Sequence, residues 1–258
     1  MLRLLTRDLP TSQMLLMTAL AALARCELLV ISPGTATASS MESLQECCRA
    51  LAALRDERSK DGAGLTLLLR EPDLEYEQID RIVSDLAPRF GSDGLRLHEK
   101  CEGARAIASA HGIGLHVKST TDWQLTRADW SGPLGASTHS LEEVDLASQY
   151  GLQWVFLSPV FQPTSKPLDA RPHLGEEYLL HAQRTYPELG IYALGGISPS
   201  AARRLAAAGA HGVAVLGGIF RAGVHTPPQQ VTAAASEFLD ELERGTPDPP
   251  SVTCPTYV

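Results

Sequence analysis

Residues 134–166 read LGASTHSLEEVDLASQYGLQWVFLSPVFQPTSK, and their reading decides the fold. A short apolar run from Pro133 to Ala136 breaks into Ser137-Thr138-His139-Ser140. Leu141, Val144, Ala147 and Tyr150 then recur at helix spacing until Gly151. A second apolar run, Trp154-Val155-Phe156-Leu157, breaks into Ser158-Pro159-Val160-Phe161 and a loop that ends at Lys166. The order is strand, polar loop, helix, strand, polar loop, with reactive residue types gathered just after each strand. In a parallel sheet or barrel those positions share one face, so His139 and Lys166 are expected over a common pocket.

Working outward, the N-terminal side carries strand-like runs at 28–32, 65–69, 95–97 and 113–117. Helical patterns lie between them: 41–56 behind a Ser40 cap, 73–87 opened by Asp73 and closed before Pro88, 101–110, and a short one at 123–130. On the C-terminal side come a helix at about 175–186, a strand at 191–194, and a helix from Pro199 to Gly209 capped by Ser198. A strand at 213–216 and a last helix reaching Arg244 complete the pattern. Eight strands alternating with about eight helices predict an α/β protein with one closed (β/α)8 TIM barrel over residues 28–245. Residues 1–27 are expected to form a helical extension plugging the barrel bottom. Arg3 and Arg7 ahead of the apolar Met14 to Leu23 give the competing look of a signal peptide, and that run is too short to span a bilayer. The Pro-rich residues 246–258 are expected to be a disordered tail.

A chain of 258 residues, 44% hydrophobic and 20% charged, has ample material for a core. Its net charge of −8 supplies no basic face, which argues against nucleic acid or an anionic membrane as partner. Cys26, Cys47, Cys48, Cys101 and Cys254 form no CxxC pair and read as reduced thiols of a cytoplasmic protein. A homo-oligomer is compatible with this composition.

The chemistry collects at the strand ends. Gly195-Gly196 and Gly217-Gly218 follow the last two strands, where backbone N–H groups can approach a phosphate closely; the same glycines also serve tight turns. His139 suits general acid or base work, or else helix capping and packing. Lys166, in a Pro-bounded loop, can hold a phosphate or pyrophosphate, or lie on the surface. Glu99, Asp122 and Glu71 can hold Mg2+ through oxygens, or pair with Arg70 and Lys118. His173, His181, His211 and His225 lack ligand-like spacing and read as surface or loop residues. Glu142 and Glu143 suit the dipole of their helix.

Four segments together resemble the thiamine phosphate synthase/TenI superfamily: LGASTHSLEE at 134–143, SPVF at 158–161 with Lys166-Pro167, ALGGI at 193–197, and AGAHGVAV at 208–215. The resemblance implies a TIM barrel that holds a small phosphorylated thiazole by its two glycine loops. In one branch, thiamine phosphate synthase joins the thiazole to a pyrimidine pyrophosphate with Mg2+ and releases pyrophosphate. In the other, thiazole tautomerase moves a proton on the thiazole carboxylate phosphate to aromatise it. There His139 matches the proton carrier, with Ser137 beside it, Arg70 on the carboxylate and no cofactor needed.

The synthase pattern departs here at several positions. Its Gln-x-Arg-Glu-Lys is Leu68-Leu69-Arg70-Glu71-Pro72, and its Asn-Asp is His98-Glu99. Its second metal-binding Asp falls on Thr121, with Asp122 one place off. Pro163 replaces a Thr, while Ser165, Lys166 and Ser137 remain. A lost cation and altered metal positions weaken a pyrophosphate site more than a monophosphate site. The expectation is therefore tautomerase-like proton transfer. The alternatives are a synthase with Glu99 and Asp122 on Mg2+, or a non-catalytic binder of thiazole or thiamine phosphate.

Overall fold

The computed structural model describes residues 26–58, 64–162 and 172–246. Eight parallel strands close into a barrel in sequence order. They are β1 (Glu27–Ile31), β2 (Leu65–Leu69), β3 (Leu95–His98), β4 (Gly114–Val117), β5 (Leu134–Thr138), β6 (Trp154–Leu157), β7 (Gly190–Leu194) and β8 (Gly212–Val215). Around them run α1 (Met41–Arg58), α2 (Tyr76–Gly94), α3 (Ala104–His111), α4 (Trp123–Asp129), α5 (Leu141–Gln149), α6 (Glu176–Thr185), α7 (Pro199–Ala207) and α8 (Pro228–Gly245). The TIM barrel read from the sequence is the fold. The expected N-terminal helix, the tail from 247 and Lys166 lie outside the described residues.

Period-two alternation splits each strand between two environments. Leu28, Val30, Leu67, Leu97, Val155 and Ile191 pack outward under the helices. Leu29, Ile31, Leu68, Trp154, Phe156, Tyr192 and Ala214 fill the barrel. The ladder keeps partners on one side, so Leu68 with Arg96, His98 with His116, and Ser137 with Phe156 share the interior. Polar side chains thus enter a barrel that its apolar outer faces already stabilise.

Ser198 caps its helix as expected, and Asp122 and Ser140, not read as caps, likewise each accept an N–H from the first turn of theirs. The second helix differs. It begins at Tyr76 behind Glu75, which forms a capping box with Gln78, so Asp73 stays in the preceding turn. It also continues past Pro88 and breaks only at Gly91, where φ is 71°. Phe90, 1% exposed, is the reason. Its burial, worth about 1.5–3 kcal/mol, offsets much of the roughly 3 kcal/mol that an internal proline costs. The third helix starts later than expected, at Ala104, after Gly103 turns the chain at φ 64°.

Candidate active site at the C-terminal strand ends

The strand alternation places the site. Arg70, Lys118, His139 and Ser158 each stand two residues beyond an inward position: Leu68, His116, Ser137 and Phe156. Continued alternation brings them to the same mouth of the barrel.

Two buried histidines organise that mouth. His98 Nδ1 accepts the Lys100 N–H at 3.0 Å. Burial, and then the charges of Arg70, Lys100 and Lys118, push its pKa down to about 3. It is therefore neutral near pH 7, with its proton on Nε2. His116 is fully buried and held well below the usual range by burial, and then by His98 and Arg96. An indole N–H can only donate, so the 3.0 Å bond from Trp154 Nε1 makes His116 Nδ1 the acceptor. The proton of neutral His116 then sits on Nε2 and is donated to Ser137 Oγ at 3.1 Å. Ser137 accepts from below, which turns its own O–H toward another acceptor. This relay was missed in the sequence; the signal was a histidine at an inward position of an otherwise apolar strand.

His139 is held through its backbone and its ring. Its N–H donates to Glu143 Oε2 at 2.7 Å, and its Nδ1 lies 2.7 Å from the Ser158 carbonyl and 3.3 Å from Ser158 Oγ. The carbonyl can only accept, so Nδ1 carries a proton and Nε2 is the basic nitrogen of the neutral ring. Glu143, read from sequence as a dipole partner, thus also fixes the backbone of the histidine.

The glycine pairs end neighbouring strands. Gly195 and Gly196 have φ of 98° and 66°. A side chain at Gly195 would meet Pro159, and one at Gly196 would meet Gln162 and Phe161. Close packing against the loop after β6 therefore explains this pair in part. Gly217 is exposed and faces open space, as a backbone phosphate cradle needs. Gly217-Gly218 enters a turn, with α8 starting only at Pro228.

The carboxylates are committed locally. Glu71 is fully buried and accepts the Gly34 and Ala36 N–H groups at 2.9 and 2.8 Å, pinning the loop after β1. Asp122 Oδ1 caps α4 through the Leu125 N–H at 2.9 Å. Glu99 accepts the Lys118 N–H at 2.8 Å and the Thr121 hydroxyl at 2.9 Å, with Lys118 Nζ at 3.5 Å. Among the described residues no three His, Cys, Asp or Glu side chains converge as metal ligands.

The family model of thiamine monophosphate synthase matches residues 43–219. The chain belongs to that family. A thiamine-phosphate synthase of Lysinibacillus sphaericus is 34% identical over 132 residues, covering 51% of this chain and 53% of the relative. One of Geobacillus kaustophilus is 33% identical over 155 residues, covering 60% of each. The chain spans about half to two-thirds of the length of these curated relatives. A thiamine-phosphate synthase of Thermus thermophilus is 29% identical over 189 residues, 72% of this chain and 87% of the relative. In fold the chain is similar to thiamine phosphate pyrophosphorylase from Pyrococcus furiosus, with a TM-score of 0.64, 19% identity, and coverage of 87% and 98% of the two chains.

Against the synthase pattern, the two expected metal positions are Glu99 and Thr121, and here they touch each other directly. Mg2+ demands near-octahedral oxygen ligation. One carboxylate, already paired with a lysine ammonium, and a neighbouring cap do not fit a preformed cage for it.

Proposed function

We propose that this chain couples a phosphorylated thiazole to a pyrimidine pyrophosphate, as a thiamine phosphate synthase. The relatives' names favour this over the proton-transfer reading that the sequence departures suggested. The observation that carries it structurally is the cluster of cations above β2–β4, of which Lys118 also lies 3.5 Å from Glu99. Arg70, Lys100 and Lys118 all bear on neutral His98, within a chain of net charge −8.

In such a reaction the C–O bond to pyrophosphate breaks and a C–N bond to the thiazole forms. The demand is for fixed positive charge where the leaving group gathers electrons. Arg70 and Lys118 supply it in this reading. The Gly217 turn and the β7 loop take the thiazole phosphate through backbone N–H groups. Ser137, supplied from below by His116, gives one oriented hydroxyl. Mixing the two phosphorylated substrates and Mg2+ with purified protein tests this: thiamine phosphate and pyrophosphate should appear in equal amounts, and formation of neither overturns it.

The tautomerase reading keeps one specific support. His139 presents Nε2 as its basic nitrogen, as a proton carrier requires. Aromatisation of thiazole carboxylate phosphate without any pyrimidine would select it.

A further inference from the structure

We propose that Glu71 and Gly34 are positioning residues for Arg70: the buried carboxylate clamps the loop after β1, and that loop aims the guanidinium. The inference rests on the reading above, in which Arg70 meets the pyrophosphate group.

The backbone around Arg70 is tied on two sides. Leu69 packs outward, so continued alternation sends Glu71 the same way and Arg70 into the mouth. The Arg70 N–H donates to Oγ of buried Ser32 at 2.8 Å. The Glu71 N–H donates to Cys101 Sγ at 3.3 Å, and Cys101 Sγ donates to the Leu69 carbonyl at 3.6 Å. What these bonds leave free to turn is the long, rotamer-rich side chain of Arg70.

Gly34 limits that freedom. Its φ of 72° lies in the left-handed region. A Cβ there would stand 2.5 Å from Arg70 Nη1 and 3.1 Å from the Arg70 carbonyl oxygen. The guanidinium therefore rests against the Gly34 backbone, in space that only a glycine leaves open. Glu71 fixes the loop that carries this glycine. One of its oxygens accepts the Gly34 N–H at 2.9 Å and the other the Ala36 N–H at 2.8 Å. Glu71 and Ala36 are both fully buried, so water does not compete for these bonds. The residue that follows Arg70 in the chain thus holds the surface against which Arg70 rests. A side chain already held in its binding geometry loses less freedom when an anion arrives, which raises affinity.

Calorimetric titration with inorganic pyrophosphate tests this as a double-mutant cycle, with Gly34→Ala made in the unaltered chain and in Arg70→Ala. The added methyl displaces the guanidinium, the flexible end of its side chain, so affinity should fall roughly fivefold or more in the unaltered chain. In Arg70→Ala nothing is left to displace, and the same substitution should change affinity by less than about twofold. Glu71→Gln offers one acceptor oxygen to two N–H groups and should follow the same pattern. Gly34→Ala carries the test if circular dichroism shows Glu71→Gln unfolded. Gly112→Ala controls for strain: its φ is 63°, its Cβ would face open space, and affinity should not change. Equal loss from Gly34→Ala in both backgrounds, no loss in either, or as large a loss in Gly112→Ala would overturn the positioning role while Arg70→Ala still weakens binding. Unchanged affinity in Arg70→Ala alone would instead sink the reading above, and this inference with it.

Discussion

The indole N–H of Trp154 donates to Nδ1 of His116, 3.0 Å away, inside the barrel. That one bond decides which way the imidazole faces chemically, because the indole cannot accept. The proton goes to Nε2 and on to Ser137 at the upper mouth. Trp154 is therefore a positioning residue for a hydroxyl on the other side of His116.

Trp154→Phe keeps an aromatic ring, gives up the pyrrole half of the indole and removes the N–H. Buried His116 can then hold its proton on either nitrogen, and Ser137 loses its fixed donor. We expect kcat to fall tenfold or more, about 1.4 kcal/mol of transition-state stabilisation, with a smaller change in KM. Steady-state kinetics on the coupling reaction checks it, and a loss confined to KM would mark the relay as binding structure only.

Buried neutral histidines also set the acid stability. Folded His98 has its pKa near 3, against about 6.5 unfolded. The depressed value means that its contribution is fully present above pH 6.5 and is lost as the pH falls toward 3. His116 acts in the same direction. Each adds a slope of about 1.4 kcal/mol per pH unit in that window, since unfolding takes up one proton per group. Urea denaturation from pH 7 to 4 should show stability falling steadily. His98→Asn should reduce the slope by one proton, and an unchanged slope would contradict the assignment.

The contact between Glu99 and Thr121 yields a metal prediction. In the ligand-free chain Mn2+, followed by electron paramagnetic resonance, should bind only weakly. Thr121→Asp places a second carboxylate opposite Glu99 and should tighten binding at least tenfold, about 1.4 kcal/mol. Tight Mn2+ binding by the unaltered chain, lost in Glu99→Gln, would show that the native residues already form a site.

The strands were legible because parallel barrel strands are buried on both faces and read as apolar runs between Gly, Pro and charged breaks. Leu65–Leu69 and Trp154–Leu157 have the expected bounds. The helix start at Pro199 was legible because Ser198 caps it by a local hydrogen bond. Pro88 misled because a local stop signal was outweighed by the tertiary burial of Phe90. At the upper mouth, the positions of Arg70 and His139 were legible because they follow strands directly. Glu71 was read with Glu99 as an oxygen donor, but its carboxylate is consumed by backbone N–H groups 35 and 37 residues away, which no local pattern encodes. His211, read as a loop residue, packs edge-on against Tyr192, and both line a cavity at the end of the barrel where the strands begin. His116 and Arg96 were passed over because the interior of a barrel admits polar side chains only through partners contributed by other strands.

In the proposed synthase reaction, resident cations above β2 and β4 hold the pyrophosphate group. Calorimetric titration with inorganic pyrophosphate measures it directly, in the unaltered chain and in Arg70→Ala and Lys118→Ala. Each substitution removes a charge-assisted contact worth about 1.5–3 kcal/mol, so affinity should fall roughly tenfold to a hundredfold in each. Pyrophosphate binding of equal strength in all three proteins would contradict the account.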